Sequence, residues 1–488
     1  MLRHADARET ARPWTAIAAL VVVLAAFLLP ARAGYLKPVL PMEEGSVLVY
    51  PDLVRDGEVP NRDFETMYGP GNLWLLAGAY GVFGTSTTVE RTIGLLYRLG
   101  LVLGLFMIGR RWGVGMGVAC AVIAIVMTVG SWAVAYAWFG GLALAVCALW
   151  MASVRRWILL GGVVAGLALV FRPDLIVAIA ALAIMTRRWR FVGGVTLGSL
   201  PYVLLVALAG PVAVFEGLVV DPAFRINPGR RFPIPWSSPL LWLIVAATCL
   251  LVAGGWTVAR RTGDKTLLTC AVFSVGLLPY ALQRADGFHL ASGGCVAVAL
   301  SPIALGVFLA DRRDVAIWLS CLCVVLLGWS TVARGALESV GQSFGLGPAP
   351  SYQLTFDDRS VPLPLPEQVD ELSGLLRQVD SSTDPGDRVF VGPDDLAHPV
   401  YNDTFLYYLL PRLVPASYFL EMNPGTADRP GSSLGEDVSS ADVLILTSRY
   451  DDWTPHEHSP GEVGSIPEGF CPRADFGPWQ MLLRCPGG

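Results

Sequence analysis

Charged residues are scarce in this chain of 488 residues. Only 15% of the residues are Asp, Glu, Lys or Arg, whereas 53% are hydrophobic and the mean hydropathy is +0.54. So little charge cannot cover the surface of an ordinary soluble globule. The composition therefore excludes that class and predicts an integral membrane protein.

Motifs that bind nucleotides or metals are missing as well. The sequence has neither a Gly-x-x-x-x-Gly-Lys-Ser/Thr loop nor a Gly-x-Gly-x-x-Gly turn between a strand and a helix, which argues against an ATP-driven pump and a soluble nucleotide-sugar enzyme. It also lacks the Cys/His spacing of a metal site, and His456-x-His458 alone is more typical of a solvated loop. We therefore predict no metal ligand, no firm cofactor and no nucleic-acid partner; a divalent metal is compatible with the sequence but unsupported by it.

Cysteine is infrequent and unevenly placed, with nine residues in the chain. Seven fall within the apolar runs given below, where they are expected to behave as small apolar residues. Cys471 and Cys485 are the only thiols of the polar C-terminal region. In an oxidising compartment such a pair is typical of a disulfide. The alternative is two reduced strand residues that lie too far apart to bond.

Long apolar runs are what the sequence has in abundance. Because roughly 20 apolar residues span the hydrocarbon core of a membrane, these runs predict about eleven membrane-spanning helices. The runs are 14–32, 91–109, 114–134, 136–153, 157–171, 174–186, 191–209, 239–258, 266–282, 290–309 and 315–333. The predicted fold is therefore mainly α, a polytopic transmembrane helical bundle.

The loops between these runs alternate in charge. Basic pairs such as Arg110-Arg111 and Arg312-Arg313 fall on the same side as the N-terminal arginines, and the acidic, proline-rich loops fall on the other side. The positive-inside bias then places the N-terminus in the cytoplasm and the acidic loops outside a bacterial plasma membrane. An alternative for Ala31-Arg32-Ala33 is a signal-peptidase site, which would not move any later loop across the membrane.

The composition changes sharply after the last apolar run. Residues 345–488 hold 22 acidic and 8 basic residues, which predicts a C-terminal extracytoplasmic domain separate from the transmembrane domain 1–344. Gln368 to Val379 has helical spacing, Arg388 to Val391 and Val443 to Leu446 are short apolar runs typical of buried strands, and Pro415 to Leu420 is a weaker third candidate. Alternation of helix and strand predicts a small α/β domain.

The first outer loop, residues 33–90, holds the densest group of polar residues near a membrane helix. It contains the pair Glu43 and Glu44, the pair Arg62 and Asp63, and Tyr68, with Gly45 and Pro51 interpreted as turn residues. Two adjacent carboxylates beside a bilayer either solvate a loop or build a site. A short apolar stretch, 72–84, is too short to span and predicts a helix at the outer face.

This loop resembles the first loop of the GT-C membrane glycosyltransferases, which include protein O-mannosyltransferases, aminoarabinose transferases and actinobacterial arabinosyltransferases. The similar features are an acidic pair, then Gly-x-x-Pro-x-Arg-Asp-Phe, then Tyr-Gly-Pro-Gly. The resemblance implies a polyprenyl-phosphate sugar as donor and a hydroxyl of a cell-envelope glycan, lipid or protein as acceptor. It implies that Glu43 is the base for that hydroxyl, with Glu44 and Asp63 in reserve and Tyr68 in support.

A lipid-phosphate donor also requires cations, because guanidinium groups bind phosphate oxygens in a bidentate way. The candidates on the outer side are Arg172 in an Arg-Pro turn, Arg230 and Arg231 in a proline-rich loop, and Arg284 in the segment QRADGFHL. Asp174, Asp286 and His289 are predicted supporting residues. The alternatives are an Arg172–Asp174 structural ion pair, headgroup contacts for Arg230-Arg231, and a helix cap at Asp286.

Two features leave other functions open. Several GT-C enzymes carry a second acid between the third and fourth helices, and the stretch 131–138 here has none, although Trp132, Tyr136 and Trp138 suit a membrane interface or a sugar. The polar motifs at 401–404 and 421–425 are candidates for acceptor contacts or for turns. The alternatives to a transferase are a non-catalytic protein of cell-envelope assembly and a transporter or flippase of a lipid-linked substrate.

Overall fold

The chain forms two compact units in the computed structural model, which describes residues 13–130, 133–226, 233–309, 312–347, 351–397, 399, 401–450 and 468–485. The helical unit comprises the described parts of 1–35, 91–201 and 232–348. The mixed unit comprises those of 36–90, 202–231 and 349–488. The first outer loop thus packs with the C-terminal residues, a grouping that differs from the predicted division at 344 and 345 because the loop shares their hydrophobic core.

Every predicted apolar span is occupied by helix. The helices of these spans are Pro13–Leu36, Thr87–Gly109, Val114–Val129, Ala137–Ala152, Ile158–Phe171, Ile176–Thr186, Trp189–Gly198, Pro201–Ala209, Pro239–Thr262, Thr266–Gln283, Gly287–Phe308, Arg313–Leu327 and Trp329–Ala333, and Arg334–Ser343 follows the last span. Within the described residues, five helices are long and apolar enough to cross a membrane, or up to seven if each of two bent pairs is one span. Four other predicted spans contain apolar helices of 10–17 residues, and these helices are too short to pass that test.

Small residues allow two helices of the helical unit to approach closely. Gly162 and Gly166 on Ile158–Phe171 face Gly194 and Gly198 on Trp189–Gly198. A Cβ atom at any of these four glycines would collide with backbone atoms of the facing helix. Such small-x-x-x-small pairs are what packing between apolar helices uses where no hydrophobic driving force separates helix from lipid.

The mixed unit is built on a five-stranded sheet. Its strands are β3 (Arg388–Pro393), β4 (Val414–Pro415), β5 (Val443–Thr447), β6 (Phe470–Phe476) and β7 (Trp479–Arg484), in the order β4-β3-β5-β7-β6. Strands β3, β4 and β5 are parallel, whereas β5, β7 and β6 are antiparallel. A separate antiparallel hairpin is formed by β1 (Tyr352–Phe356) and β2 (Arg359–Leu363). This is the predicted α/β domain with a mixed sheet.

Both faces of the sheet are covered, as the short apolar runs predicted. One face carries Val389 and Ile445 and packs on the helix Pro366–Ser382 and on residues of the first loop, including Leu48. The opposite face carries Phe390 and packs on the helix Leu434–Ser440. Residues that alternate along a strand point to opposite faces, so each strand contributes to both cores.

The predicted turn around Gly45 and Pro51 is wrong, since both residues lie inside the helix Glu43–Arg55. Pro51 has no amide to donate to the carbonyl of Val47, and the hydroxyl of Tyr80 donates to that carbonyl instead at 2.9 Å. Tyr80 belongs to the helix Pro70–Phe83, which occupies the stretch predicted to form a short helix. The helix with the acidic pair therefore tolerates its proline because a neighbouring helix replaces the lost hydrogen bond.

The C-terminal predictions were partly right. The predicted helix and the two buried strands are present, but of the third candidate only Pro415 is in a strand, Val414–Pro415. The chain leaves the sheet there because Ser417 and the amide of Tyr418 both donate to the carboxylate of Asp437, at 3.0 and 2.9 Å. The hairpin β6–β7 was not predicted. It contains the Cys471–Cys485 disulfide, with Cα atoms 5.2 Å apart.

Candidate functional site

The acidic pair lies at the start of the helix Glu43–Arg55, and its two carboxylates have different surroundings. Glu44 is fully buried, and its Oε2 accepts a 3.0 Å hydrogen bond from the amide of Leu40. Acidic residues in the first turn suit the free amides and the positive end of a helix. Glu44 is thus part of the local structure that starts the helix.

Glu43 is half-buried, and its carboxylate has fewer hydrogen bonds with the described residues than the carboxylate of Glu44. Its backbone carbonyl accepts a hydrogen bond from the hydroxyl of Ser46 at 3.0 Å. Its carboxylate oxygen Oε2 is buried, and none of the described groups donates a hydrogen bond to it. A buried carboxylate oxygen without a donor is costly unless a proton or a ligand reaches it.

The segment 401–405 holds the start of this helix in place. The amide of Phe405 donates to the carbonyl of Pro41 at 3.1 Å. Gly45 lies against the backbone of Thr404 and Phe405, so closely that a Cβ atom would collide with it. Glycine at 45 is therefore required for close contact between helix and segment, and not for a turn.

Asp403 anchors that segment. It is fully buried, and its carboxylate accepts from Arg449 Nη1 at 2.8 Å, from the Tyr450 hydroxyl at 2.7 Å and from Trp479 Nε1 at 2.7 Å. Burial and the charge of Asp403 raise the pKa of Tyr450 well above its usual value, and the charge of Glu43 adds to the same shift. Glu43 and this buried network are thus electrostatically coupled.

The motifs at 401–404 and 421–425 are buried, so they do not form a surface for an acceptor. Asn402 donates to the carbonyls of Val391 and Leu420, at 3.0 and 2.9 Å, and its side-chain oxygen accepts from Thr404. Asn423 is fully buried as well. These polar side chains satisfy backbone groups where the chain leaves the sheet, which is the turn interpretation of the motifs.

The second predicted pair, Arg62 and Asp63, is a local ion pair. Arg62 Nη2 and Nε donate to the Asp63 carboxylate at 2.6 and 2.9 Å, and the amide of Val59 donates to the same carboxylate at 2.7 Å. The hydrogen bonds from Arg62 hold the pKa of Asp63 below its usual value. A carboxylate with three donors and a lowered pKa is a weaker candidate base than Glu43.

Tyr68 lies near a third group of polar residues. Its amide donates to Thr66 Oγ1 at 3.2 Å. Burial raises the pKa of the Tyr50 hydroxyl well above its usual value, and the charges of Glu421 and Glu65 and the nearby Tyr68 side chain add to this shift. Glu65 and Glu421 are both buried, and no pattern in the sequence indicates that their side chains lie near one tyrosine hydroxyl.

The predicted cations of the helical unit each bind an aspartate. Arg172 Nη2 and Nε donate to Asp174 at 2.6 and 3.1 Å, the ion pair considered as an alternative in the sequence. Arg284 Nε lies 3.3 Å from Asp286 Oδ2. Each arginine therefore has a neighbouring carboxylate that orients it.

Asp286 also contacts His289, the third predicted site residue of the segment QRADGFHL. Its Oδ1 accepts from the backbone amide of His289 at 2.8 Å, which caps the helix Gly287–Phe308, and its Oδ2 lies 2.9 Å from His289 Nδ1. Burial alone would raise the pKa of Asp286, but the hydrogen bonds from His289 and the charge of Arg284 outweigh it and lower that pKa. Asp286 is both the predicted cap and the residue that fixes the imidazole ring.

Tyr280 lies beside both Arg172 and His289, which belong to two motifs that are far apart in the sequence. Its ring stacks on Trp138 with centroids 3.4 Å apart and lies 5.1 Å from the ring of His289. The guanidinium of Arg172 lies over both rings, 5.6 Å from the centroid of Tyr280 and 6.0 Å from that of Trp138. Trp138 is 2% exposed, so it is part of this cluster and does not face the membrane interface.

The remaining predicted site residues fall outside the described residues. These are Arg230 and Arg231, together with the His456-x-His458 pair. Among the residues that the structure describes, no group of three or more His, Cys, Asp or Glu side chains could hold a metal ion. The other predicted residues divide between the two units: Glu43, Glu44, Asp63 and Tyr68 lie in the mixed unit, and Arg172, Asp174, Arg284, Asp286 and His289 lie in the helical unit.

Solved structures of two membrane glycosyltransferases are similar to the chain over most of its length. ArnT from Cupriavidus metallidurans bound to undecaprenyl phosphate has a TM-score of 0.54 at 15% identity, covering 98% of this chain and 99% of that chain. The apo form of ArnT has a TM-score of 0.52 at 15% identity, covering 97% and 98%. The apo oligosaccharyltransferase of Archaeoglobus fulgidus has a TM-score of 0.52 at 10% identity, covering 89% and 70%.

Neither a family model nor a curated protein sequence matches the chain. Both structural neighbours are members of the GT-C superfamily, so the chain has the GT-C fold. The predicted fold, a helical membrane bundle with a C-terminal α/β domain, is thereby confirmed. At 15% identity and below, the similarity establishes the fold.

Proposed function

We propose that this protein is a membrane glycosyltransferase that moves a sugar from a polyprenyl-phosphate donor to a hydroxyl of a cell-envelope glycan, lipid or protein. The observation that carries the proposal is the buried carboxylate oxygen of Glu43, which has no donor among the described residues of a GT-C fold. The reaction is placed on the outer face of a bacterial plasma membrane, where the positive-inside bias puts the acidic loops.

Glu43 has the surroundings that a general base requires. The acceptor hydroxyl loses its proton to the carboxylate while its oxygen forms a bond to the anomeric carbon. The bond between that carbon and the phosphate oxygen breaks, and its electron pair stays on the polyprenyl phosphate. Glu44 is assigned to the structure of the helix start, because its carboxylate already accepts from Leu40.

The helical-unit cluster is suited to an anionic phosphate. Arg172 and Arg284 provide two guanidinium groups at the turn before Ile176–Thr186 and at the end of Thr266–Gln283. Their aspartate partners fix the direction of each planar group, which is what a bidentate contact with phosphate needs. We assign Asp174 and Asp286 to this orientation.

His289 is assigned to the phosphate as well. Because its Nδ1 lies against the carboxylate of Asp286, that nitrogen carries a proton, and Nε2 is left to contact a ligand. Tyr280 and Trp138 complete an aromatic wall beside Arg172. The wall limits water near the guanidinium and strengthens its attraction for an anion.

The donor class is proposed from the neighbour that binds a polyprenyl phosphate, ArnT with undecaprenyl phosphate. The test is binding of undecaprenyl phosphate to the purified protein, followed by native mass spectrometry. We expect binding to fall at least about tenfold in Arg172→Gln and Arg284→Gln, each the loss of a charge-assisted contact. The matched control is Arg261→Gln, an exposed arginine of the helical unit outside the cluster.

A second experiment distinguishes a transferase from a transporter and from an assembly protein. The envelope glycans of a bacterium with and without the protein are compared, and a transferase leaves one linkage missing. Binding without any missing linkage would favour a transporter, and an envelope that loses several unrelated polymers together would favour an assembly protein. Undecaprenyl phosphate that binds no better to the unmodified protein than to the arginine variants would contradict the donor assignment.

A further inference from the structure

A pocket opens between four helices of the helical unit, at the end away from Arg172 and Arg284. It lies where Thr87–Gly109, Ala137–Ala152 and Ile176–Thr186 end and Thr266–Gln283 begins. Arg284 follows the last residue of Thr266–Gln283, which is 18 residues long, so the pocket and Arg284 lie at opposite ends of a helix of about 27 Å. The pocket is distinct from the proposed transferase cluster.

The pocket has an apolar wall and a basic polar rim. The cavity has a volume of about 170 Å³ and is partly open to the surface. Ile108, Leu149 and Leu182 form the apolar part, whereas Arg111 and Lys265 are cations at the rim. The apolar side chains are only 1–3% exposed, so the accessible face of the pocket is its basic rim, which fits an anionic group.

The hydrogen bonds of the rim leave its cations available. Asp264 accepts from the amide and the hydroxyl of Thr266, at 2.9 and 2.6 Å, so its carboxylate is engaged at the start of the helix. Among the residues that the structure describes, Arg111 donates one hydrogen bond, from Nη2 to the carbonyl of Ser153 at 3.2 Å. Within the described residues, Lys265 forms no ion pair with Asp264 or with any other carboxylate. The rim therefore presents more positive than negative charge to the pocket.

We propose that this pocket binds the phosphate headgroup of an anionic phospholipid. Arg111 and Lys265 contact the phosphate, and the first helical turn of Thr266–Gln283 adds a positive helix end. Basic pockets between membrane helices favour such headgroups because the cations lie at headgroup depth while the wall lies in the hydrocarbon.

The choice of a lipid over free phosphate follows from the position of the cations. Arg111 and Lys265 lie at the ends of Thr87–Trp112 and Thr266–Gln283, which are long and apolar enough to cross a membrane, so both cations lie at the depth of lipid headgroups. The choice of an anionic over a zwitterionic lipid follows from the rim, since a choline group would place a cation beside two others. The inference does not rest on the proposed transfer reaction.

The test uses the full chain in detergent and native mass spectrometry with phosphatidylglycerol, phosphatidylcholine and inorganic phosphate as separate probes. The variant Arg111→Gln with Lys265→Gln removes both rim cations. We expect its affinity for phosphatidylglycerol to fall at least about tenfold. The matched control, Arg188→Gln with Arg261→Gln, removes two exposed cations outside the pocket and should keep its affinity.

Three outcomes would overturn the proposal. They are an equal loss in the control variant, equal affinity for phosphatidylcholine, and complete displacement of phosphatidylglycerol by inorganic phosphate at equal ionic strength. Should the double variant not fold, Thr269→Asp places a negative charge in the pocket and is expected to cause the same loss. Undiminished binding of phosphatidylglycerol by a folded Thr269→Asp protein would equally contradict the assignment.

Discussion

The hydroxyl of Tyr80 donates to the backbone carbonyl of Val47 at 2.9 Å, at the one carbonyl that Pro51 leaves without a helical amide. Both Tyr80 and Val47 are buried. A buried carbonyl without a donor costs about 1–3 kcal/mol. The interaction therefore allows a proline in the helix that carries Glu43.

Removal of that hydroxyl should loosen this helix. We expect Tyr80→Phe to destabilise the helix Glu43–Arg55 by about 1–2 kcal/mol, because the ring still packs while the carbonyl of Val47 loses its donor. Hydrogen–deuterium exchange should then be faster for amides 47–55. The control is Tyr352→Phe, at an exposed tyrosine of β1, which should leave these amides unchanged. Equal exchange in Tyr80→Phe and the unmodified protein would show that the hydrogen bond is not needed.

Asp403 should be the most sensitive carboxylate of the mixed unit. Its two oxygens accept from an arginine, a tyrosine and a tryptophan, and asparagine would turn one acceptor into a donor that faces another donor. Loss of one member of a buried charge pair typically costs about 3–5 kcal/mol. We expect Asp403→Asn to lower the thermal midpoint clearly, whereas Asp475→Asn, at an exposed aspartate of β6, should not. Similar midpoints for both variants would contradict the anchoring role.

The disulfide should stabilise the β6–β7 hairpin. It closes a loop with a sequence separation of 14, and a loop of about 15 residues corresponds to about 3 kcal/mol in the chain-entropy model. We expect protein isolated from the envelope to show a Cys471–Cys485 cross-linked peptide under non-reducing conditions, and Cys471→Ser with Cys485→Ser to unfold at a lower temperature. Two free thiols in the isolated protein would rule the bond out.

The cap at Asp286 should depend on pH. The folded pKa of Asp286 is lowered, so its contribution to stability is complete above the ordinary aspartate pKa of about 3.9 and is lost as the pH falls through the lower folded value. The difference in thermal midpoint between the unmodified protein and Asp286→Asn should therefore shrink as the pH falls below about 4. Asp314→Asn, at an exposed aspartate in the first turn of another helix, serves as the control. A difference that grows on acidification would mean that the aspartate is not stabilised by His289 and Arg284.

The elements that the sequence predicted share one property, an apolar pattern that is either continuous or has helical spacing. Each apolar run became helix, and the runs at 388–391 and 443–446 became strands buried on both faces. The hairpin β6–β7 lacks that pattern, because β6 is mostly exposed and contains Pro472 beside a bulge. An edge strand with one solvated face and a proline carries little periodic signal.

The parts of the site that were not predicted depend on long-range contacts. Trp138 and Tyr280 lie inside apolar runs, where an aromatic residue of the core and one beside a ligand look alike. Gly45 and Pro51 indicate turns locally, but Phe405 and Tyr80 supply the contacts that keep them helical. Asp403 was visible only as a polar residue in a motif, since its donors at 449, 450 and 479 are distant in sequence.

The central claim, that Glu43 is the base for sugar transfer, is tested most directly by the recovery of envelope glycan in a deletion strain that expresses Glu43→Gln. Glutamine keeps the shape of the side chain and removes the base, so the protein should be inserted and should bind undecaprenyl phosphate normally while transfer falls about 10²- to 10⁴-fold. Glu44→Gln should retain transfer, because the amide oxygen still accepts from Leu40. If Glu44→Gln alone is inactive, the two roles within the pair are exchanged. Full recovery of the glycan by the double variant Glu43→Gln with Glu44→Gln would contradict the account.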